Sequence, residues 1–343
     1  MPDQAGLRAL GRKLVRWESV LVLLVIATTL LGADLSAAFW RSDNIFYIGL
    51  NIGEIAIMAL PLTLIVITGE IDLSVASMLG LSGTVMASLF AHGWSIWPAM
   101  VIALLVGAVG GLLNGVLVTR VGLPSLAVTI GTLTLYRGIA QIILPNNTVD
   151  GFPESLTKIG LDPIPYTQIP YSIMFFGVFA VIAAVLLHAT PLGRSIFAIG
   201  ASQEAAYFSG IRVKRIKTLL FVASGVLCAF AGILWTLRFA SARYDAGTGL
   251  ELNVVTVVLL GGVSIFGGTG SIIGVVLAVL VFAGLQNALF LTNFPERALG
   301  IVTGGLLLVS VLAPNASSFV RRAREFLRRR AASGRAAAAA RQP

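Results

Sequence analysis

Ten apolar stretches, each nearly free of charge, follow one another along almost the whole chain. A helix rises about 1.5 Å per residue, so about 20 apolar residues cross a hydrocarbon core of about 30 Å. The stretches fall at about 19–38, 45–67, 73–91, 97–118, 123–144, 171–190, 217–238, 251–267, 271–291 and 297–313, close to that requirement. The eighth and ninth are joined by a glycine-rich run and are the least clearly separated. Helices are expected, because unpaired strands would strand backbone groups in lipid, and the alternation of a membrane barrel is absent. The expected fold class is therefore all-α, a polytopic transmembrane bundle of about ten spans. Only 11% of the 343 residues are charged, against about 25% in a soluble domain, so an ordinary water-facing surface could not be clothed.

Lys and Arg set the orientation. With an even span count and a start inside, one side holds Arg8, Arg12, Lys13, Arg16, Arg120, Arg194, Arg212, Lys214, Arg215, Lys217 and the arginine-dense end. The other side keeps Arg41, Lys158, Arg238, Arg243 and Arg297. The expected location is an inner membrane of a bacterium, multi-pass, with both termini cytoplasmic. Organisation follows: a basic cytoplasmic segment over 1–18, a membrane domain over 19–313, and a basic, disordered cytoplasmic tail over 314–343. No Ala-x-Ala site follows the first apolar run, so it reads as a retained span. Blocks 45–144 and 217–313 each hold four spans and begin on opposite sides, so any repeat between them would be inverted.

The net charge of +9 thus has a topological cause. The basic residues flank spans without aromatic interleaving, which argues against nucleic acid as a partner. Cys228 is the only cysteine, and His92 and His188 lie far apart, so neither a disulfide, a thiolate cluster nor a zinc motif can be assembled. No phosphate-loop motif and no nucleophile–base pair is readable, so the chain is expected to hydrolyse no ATP itself. Gly107, Gly111 and Gly115 share one helix face, and Gly270–Gly274 and Gly300–Gly304 repeat the spacing. Such smooth faces mark helices packing closely in lipid.

The 191–217 loop is the most informative segment. Pro191 opens it, and Gly193, Arg194 and Gly200 precede Ser202-Gln203-Glu204-Ala205-Ala206 and Gly210. Ser202 can cap a short helix, Glu204 suits its positive end, and Gly210 can close it in a left-handed conformation. An ordinary capped connector would look the same. Polar residues also stand in or near spans: Glu54, Arg137 beside Tyr136 and Gln141, Asn114, Gln286 and Asn287. They are candidate linings of a solute pathway; the bland alternative is that Glu54 and Arg137 pair with each other or with backbone carbonyls. Glu70 and Asp72 precede the third span, and Asp72 is placed to cap it.

Glu204-Ala205-Ala206 with Gly210 resembles the loop by which permeases of ATP-binding-cassette importers dock on their ATPase subunits. The run 69–77, Gly-Glu-Ile-Asp-Leu-Ser-Val-Ala-Ser, and the run 260–270, Leu-Gly-Gly-Val-Ser-Ile-Phe-Gly-Gly-Thr-Gly, are similar to blocks of the ribose-type sugar permease family. Family glycines are replaced by Glu70 and Ala76, and a Leu-Pro is missing after Leu219-Leu220. Rhamnose-type and autoinducer-2-type members resemble the chain most, including the run Ala59-Leu60-Pro61-Leu62-Thr63. The resemblance implies a permease subunit importing a monosaccharide-like solute, with ATP and Mg on partner ATPase subunits and no cofactor on this chain. It also implies a second permease chain, identical or related, and an extracytoplasmic solute-binding protein. The rival class is a self-sufficient transporter driven by protons or sodium, which would use Glu54, Arg137 and Asp72 as an ion path but leave the 202–210 loop idle. An intramembrane enzyme lacks any catalytic constellation.

Overall fold

A computed structural model describes residues 17–145, 148–292, 294–295, 300–310 and 312. The basic start, the arginine-rich end and Arg297 lie outside the described residues. The elements are α1 (Trp17–Leu35), α2 (Ser42–Ile67), α3 (Val75–Ala91), α4 (Ile96–Val116, continuing as a wider π turn over Leu117–Val121) and α5 (Ser125–Ile143). After them come α6 (Glu154–Leu161), α7 (Tyr171–Ala189), α8 (Pro191–Ala201), α9 (Gln203–Phe208), α10 (Val213–Arg238), α11 (Leu250–Leu260) and α12 (Ile272–Leu291). A last apolar helix, α13, spans Gly300–Ser310. Among the described residues, seven helices are long and apolar enough to cross a membrane, and α3, α11 and α13 are shorter apolar helices.

The bundle is built around α2, whose most apolar window is 94% buried. A helix that is hydrophobic all round belongs inside, and α2 is flanked by α7, α10, α11 and α12. The second pillar is α10, which packs against α2, α3 and most extensively α4. Here the glycine face does its work. A Cβ on Gly107 or Gly111 would overlap the carbonyl oxygen of Gly225 or Phe221, and one on Gly115 would sit 3.0 Å from the Cα of Thr218. Lipid offers no hydrophobic drive for helices to associate, so van der Waals contact of bare backbones supplies the attraction. Gly274 meets the Gly261 carbonyl in the same way, whereas Gly300 and Gly304 face open space among the described residues, contrary to the packing expected of them. Outward faces carry large apolar side chains such as Leu105, Val109, Val181 and Val185, suited to acyl chains.

The eighth span is shorter than its apolar run. Expected to about 267, α11 ends at Leu260, about 16 Å of helix at 1.5 Å per residue. Gly262, Gly267 and Gly268 adopt positive φ, which side chains resist, so residues 261–271 form a turn-rich crossing instead. Trp17 Nε1 donates to the Leu260 carbonyl at 2.8 Å, tying the start of α1 to this break.

The two ends of the bundle are distinct. At one, the 68–74 turn, α8–α9 and the 261–271 crossing meet; the Gly268 amide donates to the Ile67 carbonyl at 2.8 Å. At the other, Val149 and Ala242 form an antiparallel bridge, and α6 packs on α10. The 145–170 and 191–212 connections therefore lie at opposite ends of α10, as the alternation of spans requires. Gly111→Val is expected to lower the thermal stability of the detergent-solubilised protein by about 1–3 kcal/mol or more, as overpacking does. Gly177→Ala, with open space around its Cβ, should be neutral or stabilising by up to about 1 kcal/mol. Thermal melts of the two variants compare them directly.

Candidate functional site

At the first end, the connection after α7 folds into two short helices. Thr190 caps α8, its Oγ1 accepting from Gly193 N at 3.4 Å, with Pro191 in the first turn. Thr190-Pro191 is a recognisable helix start, although only the 202–210 helix was expected within this loop. Ser202 caps α9 by accepting from Ala205 N at 3.2 Å. Gly210 stands at φ +82 with nothing within 4 Å of a Cβ, so any penalty for a side chain there is conformational. Ala206 is buried with Ile199 and Val213, while Glu204 and Ala205 are exposed beside exposed Tyr207 and Phe208. Gly193 and Gly200 are close approaches: a Cβ would strike the Leu187 carbonyl and the Ile67 carbonyl respectively. Arg194 lies exposed on α8.

Lys217, one turn into α10, connects this segment to the bundle. Its Nζ donates to Glu70 Oε1 at 2.6 Å and to Gln203 Oε1 at 2.5 Å, and its side chain is only 5% exposed. Glu70 is thereby an ion-pair partner at the bundle's end. Two residues on, Asp72 accepts from Ser74 N at 3.0 Å, Ser74 Oγ at 2.6 Å and Ser224 Oγ at 3.0 Å. This corrects its assignment as the cap of α3: the helix begins at Val75 with Ser74 in the cap position, and Asp72, two residues before Ser74, accepts from its amide in a side-chain turn. Asn114 donates to Ser74 Oγ at 2.9 Å, and Tyr136 donates to the Gly110 carbonyl at 2.8 Å. A buried network thus joins the 68–74 turn to α4, α5 and α10.

Glu54 and Arg137 do not pair with each other. Glu54 Oε2 accepts from Arg238 Nη1 at 3.1 Å, and Arg238 also donates to the Leu50 carbonyl at 2.6 Å and to Asn51 Oδ1. Arg137 donates through Nη1 to the carbonyls of Tyr244 at 2.8 Å and Ala246 at 2.6 Å, the backbone-carbonyl alternative. Gly80 lies directly beneath that guanidinium. Asn287 exchanges two hydrogen bonds with Asn44, at 2.9 and 2.8 Å, clamping α12 to α2. Gln286 is half-buried beside it. Most polar residues named from sequence as pathway linings are therefore held in internal pairs, and the partners Lys217, Arg238, Ser224 and Asn44 went unnoticed. Their only signal is a polar side chain at an end of an apolar run for Lys217, Arg238 and Asn44, and inside one for Ser224.

At the far end of α10, Trp235, Phe239, Arg243, Asp245 and Thr248 surround a cavity of about 450 Å³. A second, of about 400 Å³, lies at the near end between Arg120, Lys214, Lys217 and Glu70. Among the described residues no group of His, Cys, Asp or Glu could hold a metal ion.

A helical bundle of this kind, apolar outside and cross-linked inside by polar pairs, is a polytopic membrane protein. Residues 44–311 match the family described as "Branched-chain amino acid transport system / permease component", and the chain belongs to that family. It is similar to the autoinducer 2 import system permease protein LsrD of Klebsiella pneumoniae, 33% identical over 88% of this chain and 92% of the relative. It is also similar to LsrD of Photorhabdus luminescens, 33% identical over 91% and 95% of the two chains, and to LsrD of Escherichia coli K12, 34% identical over 92% and 97%. No solved structure matches the chain significantly.

Breaking a buried pair strands a charge, at a cost of about 3–5 kcal/mol. Arg238→Met is expected to destabilise by that order, because Glu54 is left buried and ionisable. Glu54→Gln should cost less, since Arg238 keeps the Leu50 carbonyl and Asn51. Thermal melts in one detergent would reveal the asymmetry; equal shifts would mean the pair is not the stabilising unit.

Proposed function

We propose that this permease is the membrane-spanning subunit of an ATP-binding-cassette importer for a small polyhydroxylated solute of the autoinducer-2 or monosaccharide type. Cytoplasmic ATPase subunits carry ATP and Mg and dock on α8–α9. A second permease chain completes the pathway, and an extracytoplasmic binding protein delivers the solute. The observation that carries this reading is the Lys217 bridge. The α8–α9 segment presents exposed aromatics outward, as partner-binding surfaces do, yet is bonded inward to Glu70 and to the turn that holds Asp72. A push on α9 is thus delivered to the 68–74 turn and, through Ser74 and Ser224, to α4 and α10. A transporter driven by an ion gradient would have no use for such a linked external platform.

The solute class rests on the named relatives, which import autoinducer 2, rather than on the amino-acid wording of the broad family description. Uptake by the reconstituted complex, with autoinducer 2, ribose and leucine as competing solutes, tests it; leucine transport without the others would refute it.

Coupling gives a sharper expectation. Gly210→Val, forced from a conformation hostile to side chains at about 1–3 kcal/mol, and Glu204→Lys should abolish ATP-driven uptake or ATPase recovery in pull-down. Glu70→Lys and Lys217→Glu should each uncouple hydrolysis from uptake, and the double exchange should restore much of it. Orientation is tested by cysteine labelling, since Cys228 is buried. A thiol reagent that cannot cross the membrane should label Tyr166→Cys in intact cells and Ser209→Cys only after permeabilisation.

A further inference from the structure

The polar residues at the far end of α10 share a purpose that pairing alone does not explain. Each braces the wall of the same cavity. Arg238, fixed by Glu54, Asn51 and Leu50, lies 5.0 Å from the ring centre of Phe239 and 5.9 Å from that of Trp235. Those two rings stand 4.8 Å apart and form one side of the cavity. Arg137 holds the segment that lines the cavity beyond the rings by the carbonyls of Tyr244 and Ala246, the latter a lining residue. Between them Arg243 and Asp245 meet in a planar fork, Nε to Oδ1 and Nη2 to Oδ2, both at 2.9 Å. Thr248 Oγ1 donates to the Asp245 carbonyl at 2.6 Å, which leaves its lone pairs facing outward as acceptors.

We propose that this cavity is a solute-binding site for a small polyhydroxylated molecule, at the end of the bundle opposite α8–α9. Volume and chemistry agree. Its size of about 450 Å³ lies within the range of about 300–1,000 Å³ of small-molecule sites. An aromatic wall suits the C–H face of a sugar-like ring or chain. Each hydroxyl both donates and accepts, and the Arg–Asp fork offers acceptors and donors side by side in one plane: two of about four carboxylate lone-pair sites and two of five guanidinium N–H groups are engaged within the pair. The Arg243 guanidinium holds the Asp245 carboxyl below the usual carboxylate range, so the fork stays ionised at neutral pH. A polyol can bind the unused donors and acceptors with the fork intact. The polar atoms missing from the interior as free pathway linings are thus found here, on a segment between α10 and α11.

The assignment deepens the importer reading, on which its place in a transport cycle rests, but the binding itself can be measured without an ATPase. Saturation-transfer NMR on the chain in lipid nanodiscs, with D-ribose, autoinducer 2 and L-leucine as separate probes, is the direct measurement. Ribose or autoinducer 2 should receive saturation, and Asp245→Asn and Phe239→Leu should weaken that binding about tenfold without lowering the melting temperature. In the reconstituted complex the same variants should raise KM for uptake more than they lower kcat. Transfer to leucine in place of the hydroxylated probes, absence of transfer to either of them, or equal affinity in the variants would overturn the site. Retained, variant-sensitive binding in a complex that shows no ATP-driven uptake would instead sink only the importer reading.

Discussion

Everything else in this bundle depends on how closely α10 approaches its neighbours. Gly107, Gly111 and Gly115 let the backbones of α4 and α10 touch, and Gly232 brings α10 against α3 at the Leu79 carbonyl. In lipid such contact replaces the hydrophobic effect as the cohesive force. It also makes α10 a rod with little room to bend. Lys217 lies near one end and Arg238 at the other, about 31 Å apart at 1.5 Å per residue. Each is buried against a carboxylate from the α2 region, Glu70 and Glu54 respectively. The rod is thereby pinned to α2 above and below, and the helices between are positioned by those pins.

The second constraint is the absence of water as a competing partner. A polar group inside the bundle must be satisfied by another residue of the bundle or by the solvent of a cavity. The chain resolves this locally where it can: Thr63, Ser82, Thr119 and Thr129 return their hydroxyls to carbonyls one turn back. Others use long-range partners, as in the Asn44–Asn287 exchange across 243 positions of sequence, whereas the buried Thr84 Oγ1 and Ser172 Oγ find none among the described residues. Long-range polar pairs specify which helix lies beside which, a choice that uniformly apolar faces leave nearly degenerate. Residues that a sequence suggests as pathway linings therefore serve first as registration marks.

That distinction explains what could be read without coordinates. Apolar length alone located the ten apolar helices, though not α6 or α8 and not the shortness of α3, α11 and α13, and the Ser202 cap with Gly210 located α9, because both signals are contiguous. The glycine face of α4 was visible because its period is local. The partner of Glu54 was not: Arg238 is 184 positions away, and Arg137 was an equally charged candidate nearer the middle of a span. Lys217 read as one more cytoplasmic positive charge, since nothing in its neighbourhood reveals the Glu70 147 positions earlier. The early end of α11 was blurred because 261–271 carries no charge to mark a boundary, while Gly262, Gly267 and Gly268 take positive φ that no right-handed helix contains. Thr190-Pro191, by contrast, is a legible start to α8, since the capping hydroxyl and the proline are adjacent in sequence.

These features together suggest how motion would be carried on the importer reading. Packed cores do not deform continuously; they shift between discrete arrangements, often by sliding of helices as rigid bodies. Smooth glycine faces are the contacts across which a helix can slide with the least rearrangement of side chains, while ion pairs at the ends are the contacts that move as units. At the near end, α9 is joined to α10 and the 68–74 turn by one lysine, so a displacement there acts on both pillars at once. At the far end, α10 continues directly into Phe239 and the segment that carries Arg243 and Asp245. A rod that cannot bend transmits its displacement to whatever its far end carries. The walls of the outer cavity are thus mechanically the other terminus of the element that α8–α9 touches, and solute held by the fork would sense ATPase closure without any chain of small side-chain movements in between.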